Sequence, residues 1–317
     1  MTEPQRIDLR SVMVRTLIEA VEKGINLAVV VSDSTSTSKI GPFQEKYPAR
    51  LINVGIAEQN LVGVAAGLSL GGFTAVTANA ACFLTARANE QVKNDICYSN
   101  TNVKLIGLNA GICYGPLAGT HHAVDDVSIM QGLGNIFIFA PSDPVDTAKI
   151  FEFALAYNGP VYIRMDSEKF PVLHNEDYRF EPGKADLLKA GSDVSILAMG
   201  STVHEAYFAA EALQADSIHA EVMNVSSIRP LDREAIAASV RKTGRVVTVE
   251  EHSLHGGLGS LTAEILAEEN LKAKFVRLGI PQGRFAKAGP RKEIRAYYKI
   301  DRDGIVETVK KLLTRET

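Results

Sequence analysis

The sequence predicts an α/β chain of two doubly wound domains, each a parallel sheet covered on both faces by helices. Short β-branched runs alternate with helical segments along almost the whole chain, which is the pattern of such sheets. With 317 residues, 46% of them hydrophobic and 22% charged, the chain is long enough for two separate cores. The alternation breaks once, in DSEKFPVLHNEDYRFEPGKADLLKAGS, a polar stretch containing Pro171, Pro182 and Gly183 that reads as a crossover. We therefore expect a first domain over 1–170, a linker over 171–191 and a second domain over 192–317.

In the first domain a helix is expected at 10–22 and a strand at 27–31, LAVVV. A strand at 50–54 leads into a helix at 57–70, where Leu61, Val62, Val64, Ala65 and Leu68 fall at helical spacing and Gly71 and Gly72 supply the stop. A strand at 74–77, a helix at 84–96, a strand at 103–108 and a helix at 122–131 continue the alternation. After a strand at 136–139 comes a helix at 143–157 with a clear start. Ser142 can cap it, Pro144 suits its first turn, and Val145, Ala148, Phe151 and Leu155 form its buried face. The domain closes with a strand at 161–164. Second-domain strands are expected at 194–198, 220–224, 246–250 and 274–278, interleaved with helices.

Composition excludes several functional classes. The formal net charge is −3, without a basic stripe or aromatic-basic interleaving, so no nucleic-acid partner is expected. MTEPQRIDLR lacks the apolar centre of a signal peptide, and no stretch approaches the roughly 20 apolar residues of a membrane span. A cytoplasmic location is the default expectation. Cys82, Cys97 and Cys113 are odd in number and include no CxxC pair, which favours buried free thiols over a disulfide framework or a zinc site.

The most informative segment is GIAEQN, residues 55–60, which places Glu58 in the first turn of an apolar helix directly after a strand. By spacing alone, such a residue is a carboxylate complementing the helix dipole. The stretch 33–164, however, resembles the pyrimidine-binding domain of transketolases, and EEHSLHGGLGS at 250–260 resembles their C-terminal domain, so the resemblance covers nearly the whole chain. It implies thiamine diphosphate as cofactor. It makes Glu58 the carboxyl group that hydrogen-bonds a ring nitrogen of the aminopyrimidine, so that the thiazolium can be deprotonated into the nucleophile. For that role Glu58 should lie in a poorly solvated site, where desolvation keeps a proton available for sharing.

The segment GICYGPLAGTHHAVDD, 111–126, is rich in glycine, which lets backbone approach a ligand, and then sets two histidines before a helix. His121, His122, Asp125 and Asp126 lack a metal-ligand spacing, and no metal site is assigned to this chain. The resemblance implies that His121 faces the reacting substrate, donating to an oxygen that gains negative charge, with His122 behind it. Asp33 ends LAVVVSD before a Ser/Thr-rich loop. An Asx turn or helix cap accounts for it locally, whereas the resemblance places it beside the cofactor, at a strand end where ligands of parallel sheets bind. Phe83 is a core residue or, by resemblance, a stacking face for the pyrimidine. Arg10, Thr37 and Arg164 match family positions that hold a sugar phosphate, for which an arginine fork is suited.

Departures from the family bear on the substrate. Leu117 replaces an aspartate that reads a donor hydroxyl, and Asn109 stands where a channel histidine is frequent. Ala80 occupies one of the aromatic positions. These changes put the usual donor sugar in doubt and bring a branched or unusually configured ketose into consideration. The chain also lacks the GDG pattern with its downstream Asn that holds the magnesium and diphosphate. GGLGS at 256–260 reads as a tight turn, with phosphate binding as the lesser reading.

The resemblance therefore implies the C-terminal subunit of a split transketolase. Such a hetero-oligomer, a heterotetramer by expectation, takes the diphosphate-binding domain and the Mg²⁺ or similar divalent cation from an N-terminal subunit. The expected reaction is transfer of a two-carbon ketol unit from a ketose phosphate to an aldehyde, a step of carbohydrate metabolism. The alternatives are a 1-deoxyxylulose-5-phosphate-synthase-like enzyme and a non-catalytic binding or regulatory subunit. The second domain is assigned packing and interface formation.

Overall fold

The computed structural model describes residues 5–314; 1–4 and 315–317, the ends of the two expected domains, lie outside the described residues. The first domain is built on a seven-stranded sheet. Its spatial order runs Leu51–Asn53, Leu27–Val31, Thr74–Ala80, Val103–Leu108, Val161–Arg164, Phe137–Phe139, Ser227–Arg229. All neighbours are parallel except the last pair, which is antiparallel. The inner strands Leu27–Val31, Thr74–Ala80 and Val103–Leu108 are buried at every residue, because helices cover both faces.

Helix Leu9–Glu22 starts on Asp8, whose carboxylate accepts from Arg10 N, and lies on one face beside Pro144–Ala156. The latter begins one residue away from the expected cap. Asp143, not Ser142, accepts from Asp146 N at 2.7 Å, while Ser142 Oγ donates to Asp146 Oδ2. Asp143 is the better cap because its second oxygen also accepts from Leu173 and His174 N, tying the crossover to the helix start. The single helix expected at 84–96 is interrupted. Ala81–Ala86 and Asn89–Gln91 are α-helical, and Val92–Tyr98 is wound as a π-helix.

The second sheet has the order Lys274–Ile280, Arg245–Ser253, Val194–Ala198, Ala220–Asn224, Asp186–Lys189, with the last strand antiparallel. The crossover is thus more ordered than a linker: Lys169–Pro171 pairs with Arg6–Asp8, and Asp186–Lys189 edges the second sheet. The two domains share an apolar core. One cluster runs from Leu61, Leu84 and Ile138 to Met199, Val225 and Ile236, and Ser227–Arg229 crosses from the second domain to edge the first sheet. Among the described residues no helix is long and apolar enough to cross a membrane, and Cys82, Cys97 and Cys113 are free.

Candidate active site

Asp33, Thr37, Glu58, Phe83 and His121 follow the carboxyl ends of the first sheet's strands, the edge where ligands of parallel sheets bind, whereas Arg10 lies in the helix before the first of them and Arg164 is the last residue of one. Two loops at that edge are laced together. Asn53 Oδ1 accepts from Asp33 N at 3.1 Å and from Gly55 N at 3.0 Å, while Ser32 Oγ donates to Gly55 O and accepts from Ala57 N. Gly55, at φ +73°, makes a turn that a side chain would strain. The chain then enters helix Glu58–Leu70 with Glu58 as its first residue.

Glu58 is 3% exposed. Its Oε2 accepts from Arg87 Nη1 at 2.6 Å. Burial pushes the carboxyl up, but Arg87, the helix-start backbone and Asn79 together outweigh it, and the group is held below its ordinary value. This differs from the expected proton-retaining site, because the arginine favours the ionised form. Arg87 follows Phe83 at helical i, i+4 spacing, a signal present in the sequence, and its Cζ lies 4.6 Å from the Phe83 ring centroid.

From Phe83 the contacts run on without a gap. Phe83 meets His121 edge to face at 5.2 Å between centroids, and His121 meets Tyr114 at 5.3 Å. His121 Nδ1 is 2.9 Å from Thr120 Oγ1. Tyr114, which sequence reasoning missed, is raised by burial and partly restored by a hydrogen bond from Asn109 and by the charge of Arg10. His122 turns inward, its Nε2 at 2.9 Å from Gly115 O, and burial lowers its pKa. Leu117 stands at the surface of the same loop, half exposed.

The phosphate set divides. Arg10 and Thr37 come together, since Arg10 Nη1 donates to Thr37 O at 2.9 Å. Arg10 also forks onto Asp8 and donates to Ser167 O, and Lys39 Nζ stands 2.8 Å from the same Asp8. Two cations share one carboxylate, leaving this corner positive. Arg164 must be corrected. It is 4% exposed, its Nε donates to Asp126, and its Nη2 donates to Ala123 O and Glu251 O. Arg10 is bonded within the protein too, but its side chain is 15% exposed against 3% for Arg164, and this burial beneath the loop is why we withdraw Arg164 from the phosphate set. The signal that misled was its place at a strand end, which does not say whether the side chain points out or under the loop. Asp33 is exposed, at φ +54°, and joins Thr35, Ser36 and Lys39 in lining a groove of about 950 Å³.

A buried carboxylate, a half-buried aromatic face and Asn79, whose buried Nδ2 makes no hydrogen bond of good geometry, fit the edge and face of an aminopyrimidine. The Gly-rich helix start does not fit a diphosphate. Leu258 and Gly259 N both donate to the Glu250 carboxylate at 2.8 Å, so the anion there is the chain's own, raised to about 7 by burial. Among the described residues no group of three or more His, Cys, Asp or Glu side chains could hold a metal ion.

Comparison with known proteins places both halves of the chain in one family. The pyrimidine-binding domain pattern of transketolase matches residues 5–171, and the transketolase C-terminal domain pattern matches 183–305. An apulose-4-phosphate transketolase subunit from Actinobacillus succinogenes is 53% identical over 299 residues, covering 94% of this chain and 96% of that protein. A 6-deoxy-6-sulfo-D-fructose transketolase subunit from a Clostridium species is 39% identical over 272 residues, covering 86% and 84%. Among solved structures, one described as a split gene transketolase, inactive beta4 tetramer, superposes with a TM-score of 0.87 at 37% identity, covering 98% of this chain and 99% of that one.

Proposed function

The chain belongs to the transketolase family as the C-terminal subunit of a two-chain enzyme, and we propose that it supplies the cofactor-activating and substrate-facing half of a ketol-transfer site. The observation that carries this reading is the unbroken row Glu58, Arg87, Phe83, His121, Tyr114 at the carboxyl edge of the first sheet. Thiamine diphosphate, when bound, supplies the carbon nucleophile that allows cleavage beside a ketose carbonyl. Glu58 would hold a ring nitrogen of its aminopyrimidine, Phe83 would cover the ring, and Asp33 would flank it. His121 donates to the substrate oxygen on which negative charge develops. Arg10 and Thr37, with Lys39, hold the phosphate, where a net positive corner favours a dianion.

In this reading the diphosphate and a magnesium ion fall to an N-terminal partner, in a cytoplasmic hetero-oligomer; in support, Glu250 fills the helix start of this chain that could have taken an anion. Leu117 in place of a carboxylate fits a donor other than the common ketoses. Apulose 4-phosphate, named for the relative in Actinobacillus succinogenes, is the first to try. The test is coexpression with a chain carrying the diphosphate half and assay with a panel of ketose phosphates and aldehydes. The complex should turn over, this chain alone should not, and Glu58→Gln in the complex should lose nearly all activity. Turnover by the single chain would overturn the two-chain reading. A folded, assembled Glu58→Gln complex that keeps most of its activity would overturn the role of Glu58.

A further inference from the structure

The loop that carries His121 rests on the first domain through Ala110 N to Met165 O and Phe83 on His121, and is held from the second domain as well. At its base, Gly111 and Ala123 exchange backbone hydrogen bonds of 3.0 and 2.9 Å. Glu251 Oε1 accepts from Ile112 N at 2.9 Å, and Ser253 N donates to Val124 O at 2.6 Å. Gly111, at φ +67°, has no room for a Cβ beside the Glu251 carboxylate. Arg164 Nη2 bridges Ala123 O and Glu251 O. Glu251 is in turn fixed by Arg291 and by Arg295, whose Nε donates at 2.6 Å, and Arg291 forks onto Asp166 of the first domain.

The tip is held as well. A Cβ on Gly115 would lie 2.7 Å from Gly289 O, and one on Gly119 would lie 2.9 Å from Cδ1 of Phe285. Phe285 therefore rests on the Gly119 backbone two residues before His121. It is 83% exposed, so it contributes nothing to the core, while its neighbour Ala286 is buried with Ile112, Val124, Ile280 and Ile294. Within this chain Phe285 belongs to no apolar cluster, and its close approach is to one glycine of the His121 loop.

We infer that the second domain sets the position of His121, with Glu251 anchoring the base of the 111–123 loop and Phe285, a positioning residue, bracing its tip. This rests on the reading of His121 given above. Small displacements of a reacting group lower turnover steeply, on the order of a hundredfold per ångström. The brace therefore acts on kcat through His121 rather than on binding.

The test uses the assembled two-chain enzyme with Phe285→Ala, Phe285→Leu, His121→Ala and the Phe285→Ala/His121→Ala double variant. Phe285→Ala should lower kcat by about tenfold with KM changed less than about twofold, Phe285→Leu should restore most of the loss, and Phe285→Ala should add nothing to His121→Ala. Hydrogen exchange of the free chain should speed up over 111–123 in Phe285→Ala and stay unchanged in the Leu27–Val31 and Val194–Ala198 strands. Equal losses from Phe285→Ala with and without His121, or unchanged kcat and exchange, would overturn the brace while leaving His121 catalytic. Wild-type kcat in His121→Ala would overturn the role of His121 itself, and this inference with it.

Discussion

Replacing Arg87 by Ala removes the cation paired with Glu58, and the structure sets the size of the effect. The pair joins a carboxylate side chain 3% exposed to a guanidinium 49% exposed, across 2.6 Å. A hydrogen bond to a charged group contributes about 1.5–3 kcal/mol when well shielded, and an exposed ion pair about 0–1 kcal/mol. With one partner buried and the other half in water, we expect about 1–2 kcal/mol at pH 7. The folded-state carboxyl lies below its ordinary value, so its stabilisation is present above the ordinary carboxylate range and is lost as pH falls through the folded value. The deficit of Arg87→Ala should therefore narrow as acid protonates Glu58 in both proteins. Urea unfolding from pH 7 down to about pH 3 measures this. Carboxyl NMR titration, assigned with Glu58→Gln, should show Glu58 titrating at higher pH in Arg87→Ala than in the wild type. An unchanged titration, or the same deficit at every pH, would refute the argument.

Three further outcomes can be checked by denaturation. Burial alone would lower His174, but Asp143 and Asp186 raise it to about 10, so its stabilisation is full below its ordinary value near 6.5 and is lost as pH rises toward about 10; His174→Gln should flatten the alkaline side of the stability profile. Asp126→Ala strips the carboxylate from buried Arg164 and from the Tyr162 hydroxyl, at a cost of about 3–5 kcal/mol seen in urea midpoints. Gly257→Ala drives a methyl group into the Glu250 carboxylate and the His252 ring, costing about 1–3 kcal/mol by thermal or urea unfolding.

Much of the fold was legible locally. The strands at 27–31, 103–108, 161–164, 194–198 and 220–224 appear at their expected bounds, because a parallel strand covered on both faces is an apolar run wherever it sits. The helix after GIAEQN was equally legible, because its apolar spacing and glycine stop are local features. The helix at 84–96 was not, since periodicity does not register the π-helical winding of Val92–Tyr98.

The sequence by itself determined the alternation of elements, the family resemblance, and the placing of Glu58, Asp33, Phe83 and His121 after strand ends. Tertiary structure alone decided which charges meet. Arg164 was read as a phosphate ligand, whereas its side chain is closed in by Asp126 and Glu251, and Arg87 was unremarked until it paired with Glu58. It also decided that the second domain lends a strand to the first sheet and that Glu251 reaches Ile112 across 139 residues of sequence. The reason is physical. Helix and strand periodicity are written in neighbouring residues, whereas the partner of a buried charge depends on how distant segments pack, and one residue's position relative to a loop decides whether it faces a ligand or lies beneath the floor of the site.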